Sequence, residues 1–429
     1  SLRFFLFAFS VVLAFFFFAS YDPVIKMPLY IYFCILSILF SLSNIGNGKH
    51  NRLIQIGLCL ILCLFVQIVF LGLDFVDYQV LLINKSNTDI LNVTSQLQSP
   101  QLDMNVIKHF VFFVIFILFL IANADYFNPV DKNRLWRLLI LIYYVFFTIL
   151  IFQSFVVNIL GISQHNITLL LKSIFCLQGV IAEYSAFGIK SCQAWLQEPS
   201  GIIFVLPLLC YILRSPRLTG NHIALLFLTD VSCALSTSTT GIVVSLLFSF
   251  LIILKQIFVQ KNTNLSLRIF FVIIFVLGAL ISLINFQSIF DKIIDFISFK
   301  QVANSAGYRS QSLMLAIQVF LHYPMLGVGI GTVYCHGMVI QVLANIGVLG
   351  FGFSFLLFID SMRLKLHKEN LLLLILNMLI FCAGGLLQEF TSPHMIPILL
   401  AVLDSSILWG RRERKKTITA IYYAQKRQI

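Results

Sequence analysis

Residues 304–350 read NSAGYRSQSLMLAIQVFLHYPMLGVGIGTVYCHGMVIQVLANIGVLG. In an otherwise greasy chain this stretch gathers polar residues, glycines and a histidine. Arg309 opens an apolar run, 312–321, which His322-Tyr323-Pro324 ends. Gly327, Gly329 and Gly331 then mark a turn, and His336 stands at the mouth of another apolar run. An apolar helix with a cation at its start and a proline after its end suits a membrane interface. The glycines let the backbone approach a ligand or a neighbouring helix. They do not read as a dinucleotide fingerprint, because no strand precedes them and no βαβ pattern surrounds them.

Working outward, the 429 residues are 59% hydrophobic and only 11% charged, with a mean hydropathy of +0.97. A soluble fold cannot hide that much apolar surface, so the class is a polytopic membrane protein. Apolar runs of roughly 15–22 residues favour helices over barrel strands of about 10 residues. They fall at 2–20, 29–43, 53–73, 109–124, 138–160, 201–213, 222–236, 239–258, 269–287, 338–359, 371–388 and 394–409, or about twelve spans. The first run lacks a cleavage-like small-residue site before Tyr21-Asp22-Pro23 and is read as a retained helix. The 44 phenylalanines, with many isoleucines and leucines, read mainly as a composition bias, from which no function is inferred. The nine cysteines show no metal-ligand spacing, although Cys176 and Cys192 share one loop and suit a disulfide in an oxidising compartment.

The net charge of +12 matters through its distribution, and nucleic acid is not implied. The tail, RRERKKTITAIYYAQKRQI, is strongly basic and is expected in the cytoplasm. Counting back from it places 44–52, 125–137, 214–221, 255–268 and 360–370 on the same side. That arrangement puts 21 of the 29 basic residues inside, which favours an even number of spans with both termini cytoplasmic. The expected fold is an all-α polytopic integral membrane protein, one transmembrane domain over 1–429. Outer, periplasmic loops at 161–200 and 288–337 carry interfacial helices, and 410–429 forms a basic cytoplasmic tail.

The candidate site lies on the outer side. A guanidinium such as Arg309 in a partly dry interface is stable beside an anion, so it either snorkels to headgroup phosphates or grips a diphosphate. His336 is either structural or an imidazole able to take a proton from a sugar hydroxyl. Glu198 precedes a span, where a carboxylate serves as a helix-start charge or as a base. Trp195 suits stacking on a sugar ring, but interfacial tryptophan is also ordinary. Lys292 and Lys300 precede the core stretch and suit help with a leaving group's charge. Glu389 sits at the outer end of the eleventh span, with His394 five residues on. Tyr308, Tyr323 and Tyr334 flank these groups and count with them as substrate contacts.

The order GYR, apolar run, HYPMLGVGIGT, His, IQVLANIGVLGF resembles the core motif of the O-antigen polymerase (Wzy) and ligase superfamily. LSTSTTGIVVSLLFSFLIIL at 235–254 resembles that family's helix with a Ser/Thr-rich break before glycine. The similarity covers about 230–355. It departs in two places: family members often carry arginine in the Ser/Thr-rich motif, and their histidine is usually followed by asparagine where this chain has Gly337. The resemblance implies a GT-C-like membrane glycosyltransferase of the bacterial inner membrane. Such an enzyme joins undecaprenyl-diphosphate-linked oligosaccharide repeat units at the periplasmic face, with no cofactor and no metal. It implies Arg309 as a diphosphate contact and His336 as a contact or base near the acceptor. Membrane lipid, a chain-length regulator protein and a flippase are the implied partners, with no nucleic acid. Ligation of the glycan to lipid A core, or transport of a lipid-linked glycan, are the alternatives.

Overall fold

The computed structural model describes residues 2–16, 27–45, 50–81, 97–175, 185–186, 189–190, 192, 194, 204–215, 218–258, 305–335, 337–364 and 395–403. Over these residues the chain is a helical bundle, with only two pairs of two-residue strands. In order the helices are α1 (Leu2–Phe16), α2 (Leu29–Ile45), α3 (Asn51–Gly72), α4 (Met104–Ala122), α5 (Pro129–Ser154) and α6 (Gln164–Phe175). Then come α7 (Leu206–Arg214), α8 (Gly220–Leu235), α9 (Thr239–Phe258), α10 (Ser305–His322), α11 (Met338–Ser361) and α12 (Met395–Leu403). Ten of the twelve apolar runs expected from the sequence coincide with a helix, while 269–287 and 371–388 lie outside the described residues. Among the described residues, four helices are long and apolar enough to cross a membrane: Asn51–Gly72, Met104–Ala122, Pro129–Ile159 and Met338–Ser361.

Where helix ends differ from the apolar runs, capping chemistry explains the difference. Asp103 accepts from the Val106 N–H at 2.8 Å, which starts α4 before the apolar run begins. Asn128 accepts from the N–H groups of Val130 and Asp131, both at 3.0 Å, and Pro129 occupies the first turn, so α5 reaches back into a basic segment. The far end of α5 passes into one π-helical turn, Phe155–Ile159.

Much of the phenylalanine excess is in the core. Phe7, Phe16, Phe113, Phe116, Phe119, Phe127, Phe146 and Phe147 are fully buried. Tyr143 and Phe204 lie face to face, 5.6 Å apart and 4° from parallel, and the Tyr143 hydroxyl donates to the Phe204 carbonyl at 2.8 Å. Lipid is as apolar as leucine, so helices in a bilayer hold together by close packing and interhelical hydrogen bonds. Interlocked aromatic edges supply the first, at about 0.5–1.5 kcal/mol per pair. Ser37 and Ser41 of α2 supply the second, both donating to Asn123 Oδ1 after α4, at 3.0 and 3.4 Å.

Segments expected on one side of the membrane meet one another. Asp125 lies 3.6 Å from His50 and 3.3 Å from Arg363, and Arg52 pairs with Asp360 at 2.7 Å. Arg214 donates to the Ala401 carbonyl at 2.7 Å, and Lys255 donates to the carbonyls of Leu213 and Ser215. The opposite helix ends have their own contacts: Val80 pairs with Gln98, Tyr323 with Asp77, and Asn158 with Lys190.

The Ser/Thr-rich break is a buried turn that caps both helices around it. Ser236 Oγ donates back to Cys233 O at 2.8 Å, while Ser238 Oγ accepts the Gly241 N–H at 3.2 Å. Thr237 takes φ +52 to make the turn.

Cys192 is a buried free thiol whose N–H is held by Leu235 O at 3.0 Å. The suggested pairing partner, Cys176, lies outside the described residues. Burial pushes the Cys192 thiol up to about 11. It is thiolate-poor at neutral pH, and maleimide labelling of Cys192 in membranes at pH 7.5 should be at least about 10-fold slower than labelling of the same thiol after denaturation in SDS. Equal rates in the folded and the denatured protein would contradict the burial.

Candidate functional site

The core stretch forms α10, a glycine-rich loop and α11, and the three are packed into one unit. The start of α10 differs from the expected one. It begins at Ser305, so Arg309 sits a full turn inside the helix rather than opening it. Its buried stripe is narrow and small, with Ser312, Ala316 and Val319 at helical spacing, while Met314 and Leu321 are exposed. Small residues on that stripe allow a close approach to α11.

α11 is not continuous. At Gly347 the backbone turns to φ 63, ψ −174, a region open essentially to glycine alone. A break inside an apolar helix exposes backbone groups that must find partners. Here the glycine-rich loop supplies them. Val328 and Gly329 donate their N–H groups to the carbonyls of Ala344 and Asn345, both at 3.0 Å. In return, Val348 and Leu349 of α11 donate to the carbonyls of Pro324 and Met325, at 2.9 and 3.1 Å. Gly327 has φ +70, and a Cβ there would stand 2.6 Å from the Asn345 carbonyl, so the loop can lie against the helix only as glycine. The glycines therefore serve an approach to a helix, one of the two uses open from the sequence.

Asn345 is the hub. Its Oδ1 accepts from the N–H groups of Thr332 and Val333 at 3.0 and 2.9 Å, and its Nδ2 donates to Val333 O and Gln341 O at 3.0 and 2.8 Å. Asn345→Asp keeps the acceptor but turns the donor into a charge against two carbonyls. That change should destabilise the protein by about 2–4 kcal/mol, with Asn345→Ala close behind, since each removed partner strands buried backbone groups. Thermal unfolding of the purified protein measures this; an unchanged midpoint for Asn345→Asp would refute it.

Beside this unit is an open cavity of about 410 Å³, walled by the end of α3, residues 75–76 and the loop 322–328. Its lining is mainly apolar, with Phe70, Phe75, Val76, Met325, Leu326 and Val328. Gln67 of α3 is 2% exposed; its Nε2 donates to Leu326 O, while its Oε1 has no partner among the described residues. At the rim, the Tyr323 hydroxyl donates to Asp77 Oδ1 at 2.8 Å, and the rings of His322 and Tyr78 are 4.6 Å apart. Partial burial, then the hydrogen bond and charge of Asp77, raise the Tyr323 phenol above its ordinary value, so it remains a donor at neutral pH.

Of the residues singled out from the sequence, Tyr323 lies on the cavity wall, and Tyr334 is half-buried in an apolar cluster with Leu97 and Leu315. Tyr308 and Arg309 belong to α10, but their side chains lie outside the described residues. His336, Glu198, Trp195, Lys292, Lys300 and Glu389 lie outside them as well, as does the tail 410–429. Sequence reasoning missed Gln67, Asp77, Tyr78 and Asn345. An amide inside an apolar run was the available signal for Gln67 and Asn345; nothing marked Asp77 or Tyr78.

Comparison with known protein families, with curated proteins and with solved structures returned no match.

Proposed function

We propose that the chain is a bacterial inner-membrane polymerase of lipid-linked glycans, with about twelve spans, a GT-C-like architecture and both termini in the cytoplasm. The donor is a growing glycan on undecaprenyl diphosphate, and the acceptor is one repeat unit on the same carrier. An acceptor hydroxyl attacks the anomeric carbon, its proton passes to His336 or Glu198, and undecaprenyl diphosphate leaves with the bonding electron pair. Arg309, helped by Lys292 or Lys300, stabilises the charge that develops on the leaving diphosphate. Tyr308, Tyr323, Tyr334, Trp195 and Glu389 contact the substrates.

The observation that supports this reading most is the seating of an irregular, glycine-rich loop in a broken apolar helix, next to an apolar cavity. Non-helical backbone at such depth is tolerated where protein surrounds it or a wet cavity adjoins it, and binding sites of membrane proteins are built that way. The same motif carries the family resemblance.

The discontinuous helix also suits a transporter, whose broken helices offer backbone groups to ions. That reading is weaker, because the loop already bonds the groups freed at Gly347. Asp230, a mid-helix carboxylate that also favours transport, accepts hydrogen bonds from Ser245 and Ser249 and ties α8 to α9.

The deciding experiment is the purified protein with a synthetic lipid-linked repeat unit, without added metal or nucleotide. Polymer ladders are the expected product. Movement of the lipid across proteoliposomes without bond formation would overturn the proposal in favour of transport. In cells, loss of a polymerase leaves single repeat units on the lipopolysaccharide, whereas loss of a ligase leaves none.

A further inference from the structure

We infer that the cavity beside the glycine-rich loop binds an uncharged, hydroxyl-bearing amphiphile, of which an alkyl glycoside is the simplest example. The inference does not depend on the polymerase reading, and its readout is binding.

Three features of the cavity point to this ligand. The first is its size and lining. At roughly 30 Å³ for each water-sized group, about 410 Å³ admits on the order of a dozen methylene-sized groups. The apolar lining suits an alkyl or short isoprenoid stem.

The second feature is the hydrogen-bonding capacity that remains unused. Gln67 borders the cavity, but its Oε1 is shielded from solvent, so the acceptors within reach of a guest lie nearer the surface, at Tyr323 and Asp77. The proton of the Tyr323 hydroxyl is already engaged by Asp77, and the second Asp77 oxygen adds further lone pairs. The His322 Nδ1 is 3.3 Å from Gln318 O, and the imidazole, which lines the cavity, packs against the Tyr78 ring at 4.6 Å. A guest at this rim must mostly donate, and from several points. A polyol placed against aromatic rings does so; a hydrocarbon does not.

The third feature is charge. Among the described residues that line the cavity there is no lysine or arginine, and the nearby carboxylate of Asp77 disfavours an anion. Arg309 is thirteen residues from His322 along α10, or about 20 Å at 1.5 Å per residue, beyond the reach of its side chain. A phosphate or diphosphate headgroup is therefore not seated here. A single ammonium is the poorer guest too, because Asp77 is exposed and its attraction is screened, while the acceptors are spread over several residues.

The test uses the full chain in lipid nanodiscs and an octyl glucoside carrying a photoreactive diazirine on its alkyl chain. Labelled peptides should map to 75–78 and 323–328. Octyl glucoside should compete at least 10-fold better than octyl phosphate or octylamine. Met325→Trp, which fills the cavity from an exposed wall, should cut labelling about 10-fold. Asp77→Ala, at an exposed side chain, should do the same and keeps the test alive if the tryptophan variant misfolds. Equal or better competition by the phosphate or the amine would overturn the proposal. So would labelling left unchanged in well-folded Met325→Trp and Asp77→Ala proteins, or labelling spread evenly over the lipid-facing helices.

Discussion

Gly347→Ala should leave little correctly folded protein. A Cβ on Gly347 would stand 2.5 Å from the Met325 carbonyl carbon and 2.6 Å from the Leu326 nitrogen, both of them backbone atoms that cannot rotate away. The backbone angles at this position are also barred to a residue with a side chain, at about 1–3 kcal/mol of strain. Forcing the loop outward breaks the four backbone hydrogen bonds between 324–329 and 344–349 and leaves their groups in an apolar interior. Together these effects come to several kcal/mol, against a total stability of order 10 kcal/mol for an ordinary domain. The comparison variant is Gly352→Ala in the same helix, where a Cβ meets nothing within 4 Å. It should be neutral or slightly stabilising, since alanine favours helix over glycine by about 1 kcal/mol. The yield of monodisperse protein and the midpoint of thermal unfolding separate the two. If Gly347→Ala melts with wild type, the description of the helix break is wrong.

The second large effect concerns chemistry and rests on the polymerase reading. Arg309→Ala should lower polymer formation by about 100-fold or more, the usual cost of removing one preorganised charge from a developing anion. Arg309→Lys should retain part of the activity, because an ammonium keeps the charge but loses the planar, two-pronged geometry that matches phosphate oxygens. The assay is polymer length and rate in membranes with matched protein levels. Long polymer made at the normal rate by Arg309→Ala would eliminate the proposed role. The two variants fail differently: Gly347→Ala loses the folded protein, whereas Arg309→Ala keeps it and loses the product.

Hydropathy located the helices well because helix formation in an apolar chain is a local property. Ten apolar runs became helices; their ends moved where Asp103, Asn128 and Pro129 added turns of polar sequence, and the run at 338–359 hid the break at Gly347. Some of the segments that lysine and arginine group on one side also touch, as Asp125 with His50 and Arg363 and Arg52 with Asp360 do. The candidate site was only half legible. The glycines at 327, 329 and 331 announced an unusual backbone, and all three take positive φ. Approach to a helix was one of the two uses legible there; which residues they approach was not, because Asn345, Leu71 and His109 are placed by tertiary packing. The phenylalanine excess was passed over as composition, although rings from α1, α4 and α5 make up much of the buried core.

The sequence by itself determined that this is a mainly helical chain whose apolar runs become helices, several of them long and apolar enough to cross a membrane. Those properties depend on the length and hydrophobicity of each run, and neither needs a distant partner. Only the tertiary structure decided that α11 breaks at Gly347, that the loop fills the break, and that a cavity opens beside it. Tyr323 and Asp77 are 246 residues apart, and Gln67 reaches Leu326 across 259. Contacts at such separation are selected by how rigid helices fit together. Between helices in lipid there is little hydrophobic drive to read from composition, so shape, small residues and paired backbone groups make the choice.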